Sequence, residues 1–382
     1  MQRLIIEPRA NWQDTVSQQG LIYHTPNGVR YWDESACYQF DARQVDQLES
    51  ATNQLHGMCL EAVQNVIDGK RFAQLGIPEF AVPAILQAWE DEPPSIYGRF
   101  DFSYDGKTPP KLLEYNADTP TSLLEAAVIQ WYWQQDVKPQ ADQFNSIHER
   151  LIAKWKELKA YVSTQCLYFA HAEAVDLQND EDLMTVTYLR DTAEQAGIRT
   201  SGLFMKEIGW QAERAFFADM DGNKIDSIFK LYPWEWLVHE EFGAHALQIA
   251  GQMQWIEPLW KMVLSNKGIL AILWEMYPGH PNLLEAHLDD PKTLREFVKK
   301  PKMSREGANV TLHSENENAA TEGDYGEEGY VYQAVAPLPD FAGNRPVIGS
   351  WVIDGESAGI GIRESDGPIT DNLSRFVPHF FG

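Results

Sequence analysis

Two short segments constrain this fold more than any other part of the sequence: Tyr97-Gly98-Arg99-Phe100-Asp101-Phe102 and Lys111-Leu112-Leu113-Glu114-Tyr115-Asn116. Both read as strands, joined by the turn-forming run Asp105-Gly106-Lys107-Thr108-Pro109-Pro110. Side chains alternate between the faces of a strand. Arg99 and Asp101 therefore share a face opposite Phe100 and Phe102, and Glu114 and Asn116 share one opposite Leu113 and Tyr115. If the strands pair, four polar groups gather on one side of a sheet whose other side is aromatic. Asp101, Glu114 and Asn116 would then offer hard oxygen ligands suited to Mg²⁺, with Arg99 beside them suited to a phosphate. The same alternation also describes an exposed hairpin face with an Arg–Asp ion pair, so the spacing leaves both readings open.

The first 90 residues read as mostly helical, with Ala51–Leu75 carrying apolar residues at helical spacing. Pro120 precedes a second helical segment, Leu123–Trp133, with Thr119 as its expected N-cap. An amphipathic segment, Phe144–Val162, follows. The pattern then turns α/β: a strand at Cys166–Ala170, a helix at Met184–Ala196 closed by Gly197, and a strand at Thr200–Met205. Ile225–Tyr232 is a further strand. The acidic, apolar-poor run His313–Gly329 reads as a mobile connection between strands Asn309–Leu312 and Tyr330–Val335. A boundary near residue 250 divides the chain into 1–250, a substrate- and metal-binding region, and 251–382, a compact gripping lobe.

Three other constellations carry chemical potential. Lys299-Lys300-Pro301-Lys302 runs into a turn with Glu306-Gly307, where backbone N–H groups can form a nest for a polyphosphate. Ser265-Asn266-Lys267 places a lysine before an apolar helix. The hairpin around Asp354-Gly355 sets Gly359, Gly361 and Arg363 on one strand face, where the glycines leave room for a ligand. The tryptophan-rich run Tyr232-Pro233-Trp234-Glu235-Trp236-Leu237 reads as packing, and Lys230 before it is ambiguous. The formal charge of −25 argues against a nucleic-acid partner and is compatible with a cationic substrate such as a polyamine. No apolar run reaches the ~20 residues of a membrane span. Three scattered cysteines and a start without signal-peptide organisation lead to the expectation of a cytoplasmic protein.

Taken in order, Arg99-Phe100-Asp101, Glu114-Tyr115-Asn116-Ala117-Asp118-Thr119-Pro120, Ser265-Asn266-Lys267, Lys300-Pro301 with Arg305-Glu306-Gly307, and Gly361-Ile362-Arg363 resemble the synthetase domain of the glutathionylspermidine synthase family and its stand-alone acid–amine ligase relatives. The resemblance runs over nearly the whole chain. It implies an α+β ATP-grasp fold with a preceding pre-ATP-grasp-like α/β region, using ATP and Mg²⁺. Carried over residue by residue, it implies Asp101, Glu114 and Asn116 as metal ligands, and Arg99 as a phosphate contact and catalytic group, with Phe100 beside it on the nucleotide side. Lys267 and Lys300 are the implied ATP lysines, with Lys302 a competitor of Lys300. Glu306-Gly307 is the implied loop over the phosphates. The resemblance also implies Gln333-Ala334-Val335 and Ile369 as the adenine border, and Arg363 as the arginine that stabilises the transition state. Bifunctional family members carry an additional amidase domain, for which 382 residues leave no room.

The function so implied is ATP-dependent ligation of a carboxylate to an amine through an acyl-phosphate, on small-molecule substrates of the type of a glutathione-like peptide and a polyamine-like amine. A non-catalytic ATP-binding protein and a kinase-like phosphoryl transferase are the alternatives. Product identity separates them.

Overall fold

Strands Tyr97–Ser103 and Lys111–Asn116 pair antiparallel, with Arg99 opposite Asn116 and Asp101 opposite Glu114. The structure is a computed structural model describing residues 1–162, 165–173, 181–370 and 374–382. A register shift after Asp101 leaves Leu113 as an extra residue. Leu113 therefore lines the same cleft as Glu114 instead of sharing the face of Tyr115. Strands Arg345–Ile353, Glu356–Ser365 and Arg375–Phe376 extend the pair into a five-stranded antiparallel sheet. Asp354 and Gly355, at φ 54° and 77°, supply the two left-handed residues that a tight hairpin turn requires.

The aromatic face of this sheet, including Phe100, Phe102, Tyr115, Ile348 and Ile362, is buried in one core with the helix Ala42–Asp68. That helix starts earlier than the expected Ala51, because Asp41 and Gln44 form a reciprocal capping box. A 3₁₀ turn, Phe72–Leu75, follows and closes at Gly76. Tyr97, Trp351 and Phe376 belong to a second core with the helix Ile147–Leu158. The helix expected at Leu123–Trp133 is a π-helical turn, Glu125–Ile129, running into Gln130–Val137. Thr119 does not cap it: Ser122 intervenes at φ 64°, and the Thr119 hydroxyl accepts from Arg305 instead.

The expected βαβ unit is present. Leu167–His171, Thr200–Phe204, Ser227–Leu231 and Gln254–Ile256 form a parallel sheet, with the helix Glu181–Gln195 between the first two in sequence. A further five-stranded sheet, in the order Ala286–Leu288, Tyr330–Ala334, Phe297–Pro301, Thr311–His313, Asn318–Ala320, faces the first across a cleft. Here the acidic run departs from expectation. Asn318–Ala320 is a strand paired with Thr311–His313, Glu317 accepts from Arg345 at 2.8 Å, and Glu328 accepts from the Met303 amide at 3.0 Å. Ladder bonds and the Arg345–Glu317 ion pair hold this hairpin where apolar residues are scarce. The preceding strand begins at Thr311 and not Asn309, since Asn309 sits at φ 55°. Among the described residues, no helix is long and apolar enough to cross a membrane.

Candidate active site

The polar face of the first sheet looks into a cleft of ≈ 250 Å³ whose other wall is the sheet containing Phe297–Pro301 and the turn that follows that strand. Asp101 stands at the centre. Arg99 donates to it through Nε at 2.7 Å and Nη2 at 3.3 Å, and Arg363 Nη2 donates at 2.5 Å. Arg99 Nη1 also donates to the Thr121 carbonyl at 2.6 Å, and its guanidinium lies 5.6 Å from the Trp351 ring centroid. Gly349 is paired opposite Asp101. A Cβ at Gly349 would sit 2.8 Å from Arg99 Cδ, so glycine is what lets the arginine lie across the sheet. Burial works against the charge on Arg99, but Asp101 outweighs it and raises the pKa.

The glycines foreseen as ligand space serve the protein itself. A Cβ at Gly361 would meet the Phe376 ring at 2.7 Å, and one at Gly359 would meet the Phe144 carbonyl at 2.8 Å. Close packing of neighbouring chain, not ligand approach, accounts for both.

Glu114 accepts from Lys267 Nζ at 3.0 Å and from Asn116 Nδ2 at 3.1 Å. Asn116 Nδ2 also reaches Asp101 Oδ2 at 3.4 Å. Burial opposes the Glu114 charge, yet Lys267 and Lys300 hold its carboxyl well below the usual range. Lys267 also donates to the Ser304 carbonyl at 2.7 Å. Lys300 donates to the Leu113 carbonyl at 2.9 Å and to Gln333 Oε1 at 2.8 Å. Gln333 Nε2 in turn donates to the Leu112 carbonyl at 2.9 Å, so this side chain ties the two sheets together. Burial lowers the Lys300 pKa to about 8.

Not every anticipated residue reaches the cleft. The strand ends at Pro301, so Lys302 turns away and pairs with Asp289 at 3.0 Å. Lys300 lines the cleft and Lys302 does not. The Phe100 side chain lies on the opposite face of the sheet, stacked 3.8 Å from Tyr115. Gln333, Ala334 and Ile369 line the cleft with Val298 and Val347, whereas Val335 is not among the lining residues. Glu306 and Gly307 sit at φ 53° and 72° over the opening. A Cβ at Gly307 would come within 2.7 Å of the Thr370 carbonyl. Burial, with Glu181 adding to it, pushes the Glu306 carboxyl up.

The structure gives positions to residues that the sequence named without a role in the site. Arg305 crosses the cleft mouth to Thr119 Oγ1 at 2.6 Å and Glu235 Oε1 at 2.6 Å. Trp236, read as packing, is 40 % exposed and lines the same cleft, while Trp234 is fully buried. Lys230 forms a wholly buried pair with Asp118 at 2.8 Å and is structural.

Among the described residues, no group of three or more His, Cys, Asp or Glu is arranged for a metal ion. Asp101 and Glu114, bridged by the Asn116 amide, supply two carboxylates and an amide at one point beside four cations, Arg99, Arg363, Lys267 and Lys300. Mg²⁺ is held by few protein oxygens, one or two carboxylates among them, so this donor set fits that ion.

In overall shape the molecule matches a glutathione synthetase-like effector of Globodera pallida, with a TM-score of 0.56 over 98 % of both chains at 10 % identity, which fixes a glutathione-synthetase-like fold. The sequence family described as glutathionylspermidine synthase preATP-grasp matches residues 3–382, and the chain belongs to the glutathionylspermidine synthase family. It is 42 % identical to a Haemophilus influenzae protein named "Putative acid–amine ligase", over 94 % of this chain and 93 % of that one. It is 30 % identical to trypanothione synthetase of Crithidia fasciculata over 85 % of this chain. It is 26 % identical to the bifunctional glutathionylspermidine synthetase/amidase of Escherichia coli over 96 %. The matches span 53 % and 63 % of those two longer relatives.

Proposed function

We propose that this protein is an ATP-dependent carboxylate–amine ligase of the ATP-grasp type, working through an acyl-phosphate and releasing ADP and phosphate. One observation carries the reading: Arg99, Asp101, Glu114, Asn116, Lys300 and Arg363 from two sheets, and Lys267 from the turn before the helix Ile269–Met276, converge on one cleft. Charge of both signs, gathered and pre-paired, suits a polyphosphate substrate exchanging partners with the protein's own carboxylates. Asp101, Glu114 and Asn116 would hold Mg²⁺, whose contribution is to offset charge on phosphate oxygens. Lys267 and Lys300 offset more of it from the second wall. The apolar stretch of Val298, Ala334, Val347 and Ile369 suits a base, with Gln333 at its edge. Arg99, fixed across the sheet, orients the transferring group. Arg363 lies on the same carboxylate and can redirect its fork to the oxyanion that forms when the amine attacks. Glu306 and Gly307 shield that chemistry from water. Lys302 drops out of the nucleotide set.

The two longer relatives' names support a small peptide acid and a polyamine-like amine as the substrate classes. We keep the division at residue 250 as a functional one, with 251–382 supplying the gripping sheet, and a cytoplasmic location, which three free thiols support. The test is ATP turnover against a panel of acid–amine pairs, with mass spectrometry of products. ADP, phosphate and an amide are expected. AMP and pyrophosphate would overturn the reading.

A further inference from the structure

Behind the cleft lies a second polar chain that the proposed chemistry has not used. Glu125 is 1 % exposed, on the first turn of the π-helical segment. Its Oε1 accepts from the Tyr31 hydroxyl at 2.8 Å. Tyr31 is itself buried, and its hydroxyl lies 3.1 Å from Ser122 Oγ. Ser122 Oγ donates to Glu181 Oε1 at 3.2 Å. The four groups come from three places in the sequence: Tyr31, the Ser122–Glu125 turn and Glu181. Glu181 marks the end nearest the cleft: its neighbour Asp182 lines it, and the charge of Glu181 is felt by both Arg99 and Glu306.

Counting hydrogens gives this chain a direction. Three contacts link Glu181, Ser122, Tyr31 and Glu125. With both carboxylates ionised, only two hydrogens serve them, one on each hydroxyl. If Ser122 donates to Glu181 and Tyr31 to Glu125, the Tyr31–Ser122 contact holds none. One added proton completes the set. Entering at Glu181, it lets Glu181 donate to Ser122, Ser122 to Tyr31, and Tyr31 to Glu125. A concerted shift then leaves the proton on Glu125, with both hydroxyls restored. A buried network one hydrogen short gains by taking one up.

Resting on the ligase reading, we propose that the Glu181–Ser122–Tyr31–Glu125 chain takes up the proton that the amine loses when it attacks the acyl-phosphate. In that step the amine nitrogen forms the C–N bond, the carbonyl C–O bond to phosphate breaks, and phosphate leaves with that electron pair. The nitrogen's surplus proton passes to Glu181 and on to Glu125. Glu125 touches no substrate and acts through the other three groups, so it is a positioning residue for the proton. The groups facing it are Tyr31, Glu181 and Arg99, with Tyr23 within electrostatic reach. Burial, reinforced by Glu181, raises the Glu125 carboxyl to about 7. Its folded value lies above its ordinary one, so Glu125 is ionised and able to accept only as pH rises through that value.

Two measurements test this. The first needs no substrate: infrared difference spectra of the ligand-free protein between pH 6 and 8. A protonated-carboxyl C=O band that fades as pH rises, and is absent in Glu125→Gln, is expected. A band unchanged in Glu125→Gln overturns the proposal and leaves the ligase reading untouched. The second is the pH profile of kcat with a productive acid–amine pair. In the parent protein kcat should rise with pH through about 7. Glu125→Gln keeps an acceptor for Tyr31 but holds no proton, so its kcat should fall ~10²-fold, the low end for one proton-transfer group, and lose that inflection. Tyr31→Phe and Ser122→Ala interrupt the chain at two other points and should lower kcat similarly. If a folded Glu125→Gln keeps the parent profile and a kcat within about twofold of it, the chain carries no proton.

Discussion

Two sets of buried charges in this molecule look alike in sequence and behave differently in space. Lys230 and Asp118 have no exposed side-chain surface. Lys230 donates to Asp118 and to the Tyr232 carbonyl, and the second Asp118 oxygen accepts from the Trp234 amide. Lys267 and Glu114 keep 10 % and 25 % of theirs, facing the cleft. The first pair is closed, with its partners fixed by the fold. The second shares its charges among Asn116, Lys300 and neighbouring carbonyls, and can exchange them for a ligand. Removing a closed charge strands its partner in low dielectric. Removing an open one leaves the partner beside solvent, so the loss falls on binding or turnover instead.

The largest effect expected from this contrast is on stability. Asp118→Ala leaves Lys230 buried without a counter-charge and should cost ~3–5 kcal/mol in denaturant unfolding. A loss below ~1 kcal/mol would put the pair in the weak class of exposed bridges and dissolve the contrast. Arg363→Ala probes the open set. It should lower kcat by about 10²–10³, the usual loss for one oxyanion donor, with little change in ATP affinity or unfolding free energy. Arg363→Lys should not restore turnover, since a point charge lacks the planar fork. Strong loss of ATP binding with normal turnover would make Arg363 a nucleotide contact. A finer split separates the neighbouring lysines. Lys300→Ala should weaken ATP binding ~10- to 100-fold, from ~1.5–3 kcal/mol for a bond to a charged group. Lys302→Ala should change it less than about threefold, since its partner Asp289 is an exposed residue outside the cleft.

Local order made part of this site legible in the sequence. Strand alternation places Arg99 with Asp101 and Glu114 with Asn116, and a short connection fixes their pairing, so the four meet as the sequence predicts. The Asp354-Gly355 turn pairs the two strands that bring Arg363 to Asp101, but a register shift between Trp351 and Val352, which the sequence did not announce, sets the final alignment. What failed depended on distant partners. Alternation says that a residue lacks a side chain on one face, but not what fills the space, so Gly359 and Gly361 pointed to a ligand where Phe144 and Phe376 pack. Lys300 and Lys302 are equivalent by pattern until the strand's end at Pro301 parts them. Arg305 meets Thr119 across 186 residues and Glu235 across 70, with no local signal for either contact. The Glu125 chain likewise draws on Tyr31 and Glu181, which only the fold brings to the Ser122–Glu125 turn.

If the open charges form a metal–nucleotide site, calorimetry should show it. ATP should bind in the presence of Mg²⁺ or Mn²⁺ and fail to bind when a chelator removes them. Asp101→Asn and Glu114→Gln should each weaken metal-dependent binding about tenfold or more, ~1.4 kcal/mol, while the unfolding free energy stays near that of the parent. Equally tight ATP binding with and without the metal, unchanged in both variants, would contradict it.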